Sequence, residues 1–262
     1  MKKIISEVNG IGKVSTSKRS RKRIPTGFPD LDEKLSGGLQ PAELVLIAGR
    51  AGMGKTTFAM NIADYASRYE NKRIAIFSLP LLEGHLLASD NSFVDESKVM
   101  VYNTWEVSVD EICSECRELK AEQGLDMIII DYIQLVGSSD KSVKENRRQQ
   151  ISQMASSLKA LAKELELSVI VLSQMSRKIE ARADKRPTLS DLRESRAFGE
   201  EADLCMLLHG DAYYNRECED KNTAEIIIAK QKNGSTGTVR LVWRFNDIYR
   251  DESKIDELLK EL

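Results

Sequence analysis

The 262-residue sequence predicts an α/β fold, with a mostly parallel sheet flanked by helices and an antiparallel edge at its C-terminal end. Two observations carry that prediction. Apolar runs of strand length at 43–48, 73–78, 99–102, 126–131 and 168–173 lack polar alternation, as strands buried on both faces do. Helical patterns lie between them, and strands that alternate with helices imply crossover connections and a parallel sheet.

Taken in order, residues 1–23 form a basic extension. They hold eight Lys/Arg against the single acid Glu7, which leaves 31 basic and 40 acidic residues for the rest of the chain. A basic tail on an acidic body suits contact with a polyanion, and a solvated, disordered extension is the alternative. Ile24-Pro25-Thr26-Gly27 reads as a turn that opens a compact domain over 24–250. The run 43–48 is followed by a glycine-rich loop and a helical pattern from near Lys55 to Tyr69. Ser108 is a candidate N-cap for a helix over 108–122, with Asp110 and Glu111 in its first turn. In 144–165, Ile151, Met154, Ala155, Leu158, Leu161, Ala162 and Leu165 share one face at helical spacing. Later runs at 203–208, 224–229 and 238–243 complete the strands. Asn233-Gly234 and Gly237 between the last two predict a hairpin-like edge. Residues 251–262 read as a charged helical end.

Hydrophobic residues make up 41% of the chain and charged residues 31%, which fits a buried core under a well-solvated surface. No apolar stretch reaches the ~18 residues that span a membrane. The N-terminal segment lacks the apolar stretch of a secretory signal. The expectation is a soluble, cytoplasmic protein without membrane contact. Cys113 and Cys116 form a lone CxxC within a helical pattern, and ordinary reduced thiols are the favoured reading.

The strongest chemical signal is Gly49-Arg-Ala-Gly-Met-Gly54-Lys55-Thr56. It matches GxxxxGK[ST] between an apolar strand and a helix, a loop that cradles phosphates. Gly49, Gly52 and Gly54 let backbone amides, including those around Met53, approach phosphate oxygens. The helix N-terminus, with Lys55, Thr56 and Thr57, adds its positive end. Lys55 is expected to reach the β- and γ-phosphates of ATP, and Thr56 to bind Mg²⁺. Asp131 closes the run Met127–Ile130 at the sheet edge where ligands bind in such folds, so it is the candidate carboxylate for Mg²⁺. Gln174 closes the next strand. Its neutral amide can bond a γ-phosphate or a water and lose that partner after hydrolysis, while a surface Gln remains the alternative.

Several stretches together resemble a known family: "IPTGFPDLDEKLSGGLQPAELVLIAGRAGMGKTTFAMNIA", "IIIDYIQLV", "LKALAKELELSVIVLSQMSR", "DKRPTLSDLRES" and "AEIIIAKQKNGSTGTVRL". They resemble the C-terminal motor domain of DnaB-type replicative helicases, in the RecA-like branch of P-loop ATPases, over about residues 24–246. The resemblance implies a hexameric ring that hydrolyses ATP to move along single-stranded DNA in replication, with other replication proteins as partners. It places Gly52, Gly54, Lys55, Thr56, Asp131 and Gln174 on the cis side of each site. It places Lys230 and Lys232 on the trans side, facing a neighbour's γ-phosphate. It places Arg193 and Glu194 on a channel loop that follows DNA. Arg177, Lys178, Arg182, Lys185 and Arg186 lie just upstream, and 141–148 hold four more basic residues.

Five departures accompany the resemblance. Pro80 stands where the family has the glutamate that polarises water, and Glu83 lies three residues on. Lys232 replaces an arginine finger, keeping charge but losing the planar fork. Arg196 replaces a glycine. The segment 80–98 is shorter than in the family. The family's helical N-terminal domain is expected to be absent ahead of 1–23. Two readings follow. One is an ATP-dependent DNA helicase or translocase. The other is a hydrolysis-impaired paralogue that acts as a nucleotide-gated DNA-binding or helicase-regulating module. A RecA-like recombination ATPase is disfavoured by the later motifs.

Overall fold

The computed structural model describes residues 22–78, 97–103, 107–133, 147–192, 195–215, 217–218, 222–244 and 247–251. Among the described residues, nine strands form one sheet in the order β3-β2-β4-β5-β1-β6-β7-β8-β9. They are β1 (Glu43–Gly49), β2 (Ile74–Ser78), β3 (Val99–Asn103), β4 (Met127–Asp131), β5 (Ser168–Gln174), β6 (Leu204–His209), β7 (Thr223–Gln231), β8 (Gly237–Arg244) and β9 (Asp247–Asp251). The first six run parallel, so all five unalternated apolar runs are parallel strands, and β6 joins them. β7, β8 and β9 add antiparallel, as the turn at Asn233-Gly234 predicts for the first two.

Strand side chains alternate between faces, and here both faces are covered. Val45, Ile47, Ile76, Ile129 and Ile170 face a core shared with α1 (Pro29–Lys34) and α2 (Lys55–Arg68), through Leu31, Phe58 and Ile62. Leu44, Leu46, Ile128, Ile130 and Val171 face a second core with α3 (Val109–Glu122) and α4 (Arg147–Glu164). Leu158 and Leu161 of α4 and Cys116 of α3 are buried there. Each fully buried Ile or Leu contributes about 1.5–3 kcal/mol by leaving water, a sizeable share of a domain stability of about 5–15 kcal/mol. The helical reading of 144–165 thus stands for 147–164. Ser108 caps α3 with a full capping box: Glu111 N–H donates to its hydroxyl, and its own N–H donates to the Glu111 carboxylate at 2.8 Å.

Two boundaries differ from the sequence expectation. Arg23 is tied into the domain, its guanidinium donating to Leu35 O at 2.5 Å, because α1 ends there with carbonyls to satisfy. At the other end Asp251 lies in β9, a strand that five residues of unremarkable pattern did not announce. Residues 1–21, 79–96, 134–146 and 252–262 lie outside the described residues, and with them Pro80, Glu83 and the expected C-terminal helix.

Candidate functional site

The C-terminal ends of the parallel strands converge on one edge. Gly49 pairs with Gln174, and Ser78 pairs with Asp131 and Asn103. β1 ends at that edge in the glycine-rich loop. Gly52 and Gly54 adopt φ of 75° and 70°, a left-handed backbone that favours glycine. Gly54 is the N-cap of the 14-residue α2 and offers no side chain to cap it, so the first amides of the helix are left to an anion.

Lys55 donates to Arg50 O at 2.9 Å, curling back over the loop. Burial pushes its ammonium down to about 8; Arg50 adds to that shift and Asp131 opposes it. Thr56 Oγ1 donates to Asp131 Oδ2 at 2.6 Å. Asp131 is buried, and burial raises its pKa, while the Thr56 hydroxyl and the Lys55 charge pull it back. A buried carboxylate, a half-buried hydroxyl and a half-buried ammonium thus meet beside the loop, partly withdrawn from solvent. A phosphate with a divalent cation would relieve all three. The oxygen donors Thr56 and Asp131 suit Mg²⁺, which takes one or two protein oxygens and keeps waters and phosphates for the rest. Met53 is buried beneath the loop, and Thr57 is half-buried in the first turn of α2. Gln174 is exposed at the tip of β5.

Arg50 fastens this loop to the segment after β5. It is 5% exposed and donates to Met175 O at 2.8 Å and to Glu180 Oε1 at 2.8 and 2.6 Å. The sequence reading missed this residue. It also missed a cleft of about 700 Å³ beside the loop, lined among others by Lys185, Arg186, His209, Tyr214 and Glu225. Lys185 lies 5.1 Å above the Tyr214 ring, which also stacks on His209 at 5.7 Å. A Cβ on Gly52 would sit 3.6 Å from Tyr213, and one on Gly210 would sit 3.8 Å from Met53, so the cleft adjoins the phosphate loop. The adjacent aromatic pair Tyr213-Tyr214, just after an apolar strand run, was the signal available for it.

The expected DNA residues divide. Arg177 and Lys178 are exposed on a short 3₁₀ helix, and Arg196 is exposed at the start of α5 (Arg196–Glu201), paired with Glu200. Arg182 is held by Asp191 at 3.0 Å, Arg186 by Glu225 at 3.1 Å, and Lys185 by Tyr214. Those three also hold partners within the fold and the cleft. Arg193 and Glu194 lie outside the described residues.

Lys230 and Lys232 are not brought to the site of their own chain. Lys230 pairs with Cys205, and Lys232 N–H donates to Asp203 O, both at the start of β6. The phosphate loop packs on Leu208 at the other end of that strand, roughly 15 Å away at the rise of a strand. Lys230 donates to Gly199 O and Glu200 O at 3.0 and 2.6 Å. Lys232 is 67% exposed, its ammonium 3.7 Å from Asp203 Oδ1. Cys113 and Cys116 are buried in α3 as free thiols.

Comparison with known proteins matches this arrangement to one family. The family described as "DnaB-like helicase C terminal domain" matches residues 23–89 and 83–249. The replicative DNA helicase DnaB of Geobacillus stearothermophilus is 41% identical over 89% of this chain and 58% of its own length. The replicative DNA helicase DnaC of Bacillus subtilis (strain 168) is 39% identical over the same shares. Among solved structures, one described as an ATPase domain matches with a TM-score of 0.80 and 33% identity, over 88% of this chain and 92% of that one. A DnaB-like replicative helicase, from a study of its interactions with primase, matches with a TM-score of 0.78 and 33% identity over 87% of this chain and 63% of that one. The chain spans a little over half the length of the curated relatives it matches. By fold, by motif and by these matches, the chain belongs to the DnaB-like helicase C-terminal domain family.

Proposed function

We propose that this domain binds ATP with Mg²⁺ and couples its hydrolysis to movement along single-stranded DNA in replication. The carrying observation is the Thr56–Asp131 hydrogen bond beside Lys55, which sets a metal-competent oxygen pair against the phosphate loop. Thr56 and Asp131 would hold Mg²⁺, which would neutralise phosphate charge there. Lys55 holds the phosphates, Asp131 orients Thr56, and Gln174 senses the terminal phosphate from the tip of β5. The cleft at Tyr214 takes the nucleoside. Lys230 and Lys232 serve the site of a second copy, since they stand at the far end of β6 from their own loop. That division of labour calls for a homo-oligomer, and a closed hexameric ring satisfies it with every site complete. Arg177 and Arg196 contact DNA phosphates, with Arg193 and Glu194 on the same loop.

A second reading, a nucleotide-gated DNA-binding module with slow turnover, is favoured by Lys232 in place of an arginine and by Pro80, which carries no titratable group. ATP turnover with and without poly-dT, alongside light scattering, tests the first reading. DNA-stimulated turnover by an oligomer supports it; nucleotide binding without turnover supports the second. In that case Pro80→Glu with Lys232→Arg raises turnover at least tenfold. An absence of both nucleotide binding and DNA binding contradicts both.

A further inference from the structure

Ser173 and Ser195 are both buried, and their hydroxyls hydrogen-bond to one another across 22 residues of sequence. Ser173 immediately precedes Gln174 at the tip of β5. Ser195 immediately precedes Arg196 at the start of α5. One buried contact therefore separates the nucleotide edge of the sheet from an exposed arginine on the DNA side.

Both ends of this contact are firmly held. Ser173 and Gln174 pair with Ala48 and Gly49, and Met175 N–H donates to Gly49 O at 3.0 Å, so the tip of β5 moves with the phosphate loop. On the other side Gly199 N–H donates to Ser195 O at 3.0 Å, and Phe198 is fully buried in the core. The far end of α5 is capped by Lys230 through Gly199 O and Glu200 O. The helix is thus a short rigid body with Ser195 at its root. A hydroxyl pair buried on both sides has a narrow range of good geometry. A shift at the tip of β5 must either carry Ser195 along or break the bond.

We propose that the Ser173–Ser195 hydrogen bond couples nucleotide occupancy at Gln174 to the grip on single-stranded DNA at Arg196. Neither serine touches nucleotide or DNA; both are positioning residues. The inference rests on the reading of Gln174 and Arg196 given under the proposed function.

The test is a linkage measurement on the full chain. The affinity for a fluorescein-labelled oligo-dT is measured by anisotropy at one salt concentration, with and without a non-hydrolysable ATP analogue and Mg²⁺. Nucleotide affinity without DNA and the urea midpoint are measured beside it. Coupling free energies between sites correspond to about 5–150-fold changes in affinity, and the wild-type ratio is expected in that range. Ser173→Ala/Ser195→Ala removes both hydroxyls of the pair together, so neither is left facing a lost partner. Its ratio is expected to fall to within about twofold of one, while nucleotide affinity and urea midpoint hold. A ratio kept at the wild-type value overturns the inference. A wild-type ratio of one, with nucleotide and DNA each bound, overturns the underlying reading and the inference with it. Should the double variant unfold, Ser195→Thr and Ser195→Ala decide: Thr keeps the ratio and Ala loses it, and equal ratios overturn the inference.

Discussion

Thr56 and Asp131 stand 75 residues apart in sequence and share a 2.6 Å hydrogen bond at the edge of the sheet. The bond joins the first turn of α2 to the end of β4, and the paired oxygens face the phosphate loop. Their arrangement predicts a metal dependence. Asp131→Asn keeps shape and removes the charge, and loss of a group that orients a metal ligand weakens metal binding by about 10–100-fold. The Mg²⁺-dependent part of ATP affinity falls by that factor, while affinity in EDTA changes little. Calorimetry with and without the metal separates the two.

Lys55 predicts a pH dependence. Its pKa stands at about 8 in the free protein, below its ordinary 10.5, chiefly through burial. Phosphate beside the ammonium favours the charged form, so binding raises that pKa. Well below pH 8 the lysine is charged in both states and contributes no proton linkage. Above about pH 8, nucleotide binding takes up a proton, and affinity falls as pH rises. Titrations at about pH 9 in buffers of different ionisation enthalpy measure the uptake, and Lys55→Met abolishes it.

A buried ion pair predicts a stability effect remote from the site. Lys159 on α4 bonds Asp203, which also accepts from Leu44 N–H at 2.9 Å; both side chains are buried. A buried charge left wholly uncompensated costs about 3–5 kcal/mol. Asp203 keeps the Leu44 N–H and the Lys232 ammonium 3.7 Å away, so Lys159→Ala lowers stability in urea unfolding by less than that. Lys159→Met/Asp203→Leu removes both charges but leaves the Leu44 N–H without its acceptor, so it recovers only part of the loss.

Much of this was legible beforehand because the signals were local. Five apolar runs became five parallel strands, since burial on both faces removes polar alternation. The phosphate loop was legible because its chemistry is written in eight consecutive residues. The cleft was not. Lys185, His209, Tyr214 and Glu225 come from four separate segments and meet only after β6 and β7 pair. Ser173 and Ser195 carried no pattern at all, since two serines 22 residues apart are invisible until the helix docks. Nothing in the sequence announces Asp191 and Glu225 as the partners of Arg182 and Arg186.

The placement of Lys230 and Lys232 predicts complementation between copies. Lys232→Ala leaves the nucleotide affinity of each chain within about twofold, because that ammonium stands at the far end of β6 from its own loop. Turnover of the assembly falls instead, by up to about 10³-fold for loss of a trans cation. Mixing Lys55→Ala chains with Lys232→Ala chains restores part of the turnover, since some interfaces then pair an intact loop with an intact lysine. No recovery on mixing, with mixed assembly verified, contradicts the trans role.

The central claim is that the loop from Gly49 to Thr56 holds a triphosphate. Calorimetric titration of the well-folded chain with an ATP analogue and Mg²⁺ tests it most directly. One equivalent bound per chain, lost at least tenfold in affinity in Lys55→Ala, is the predicted result. Absence of binding by the folded wild-type chain contradicts the account.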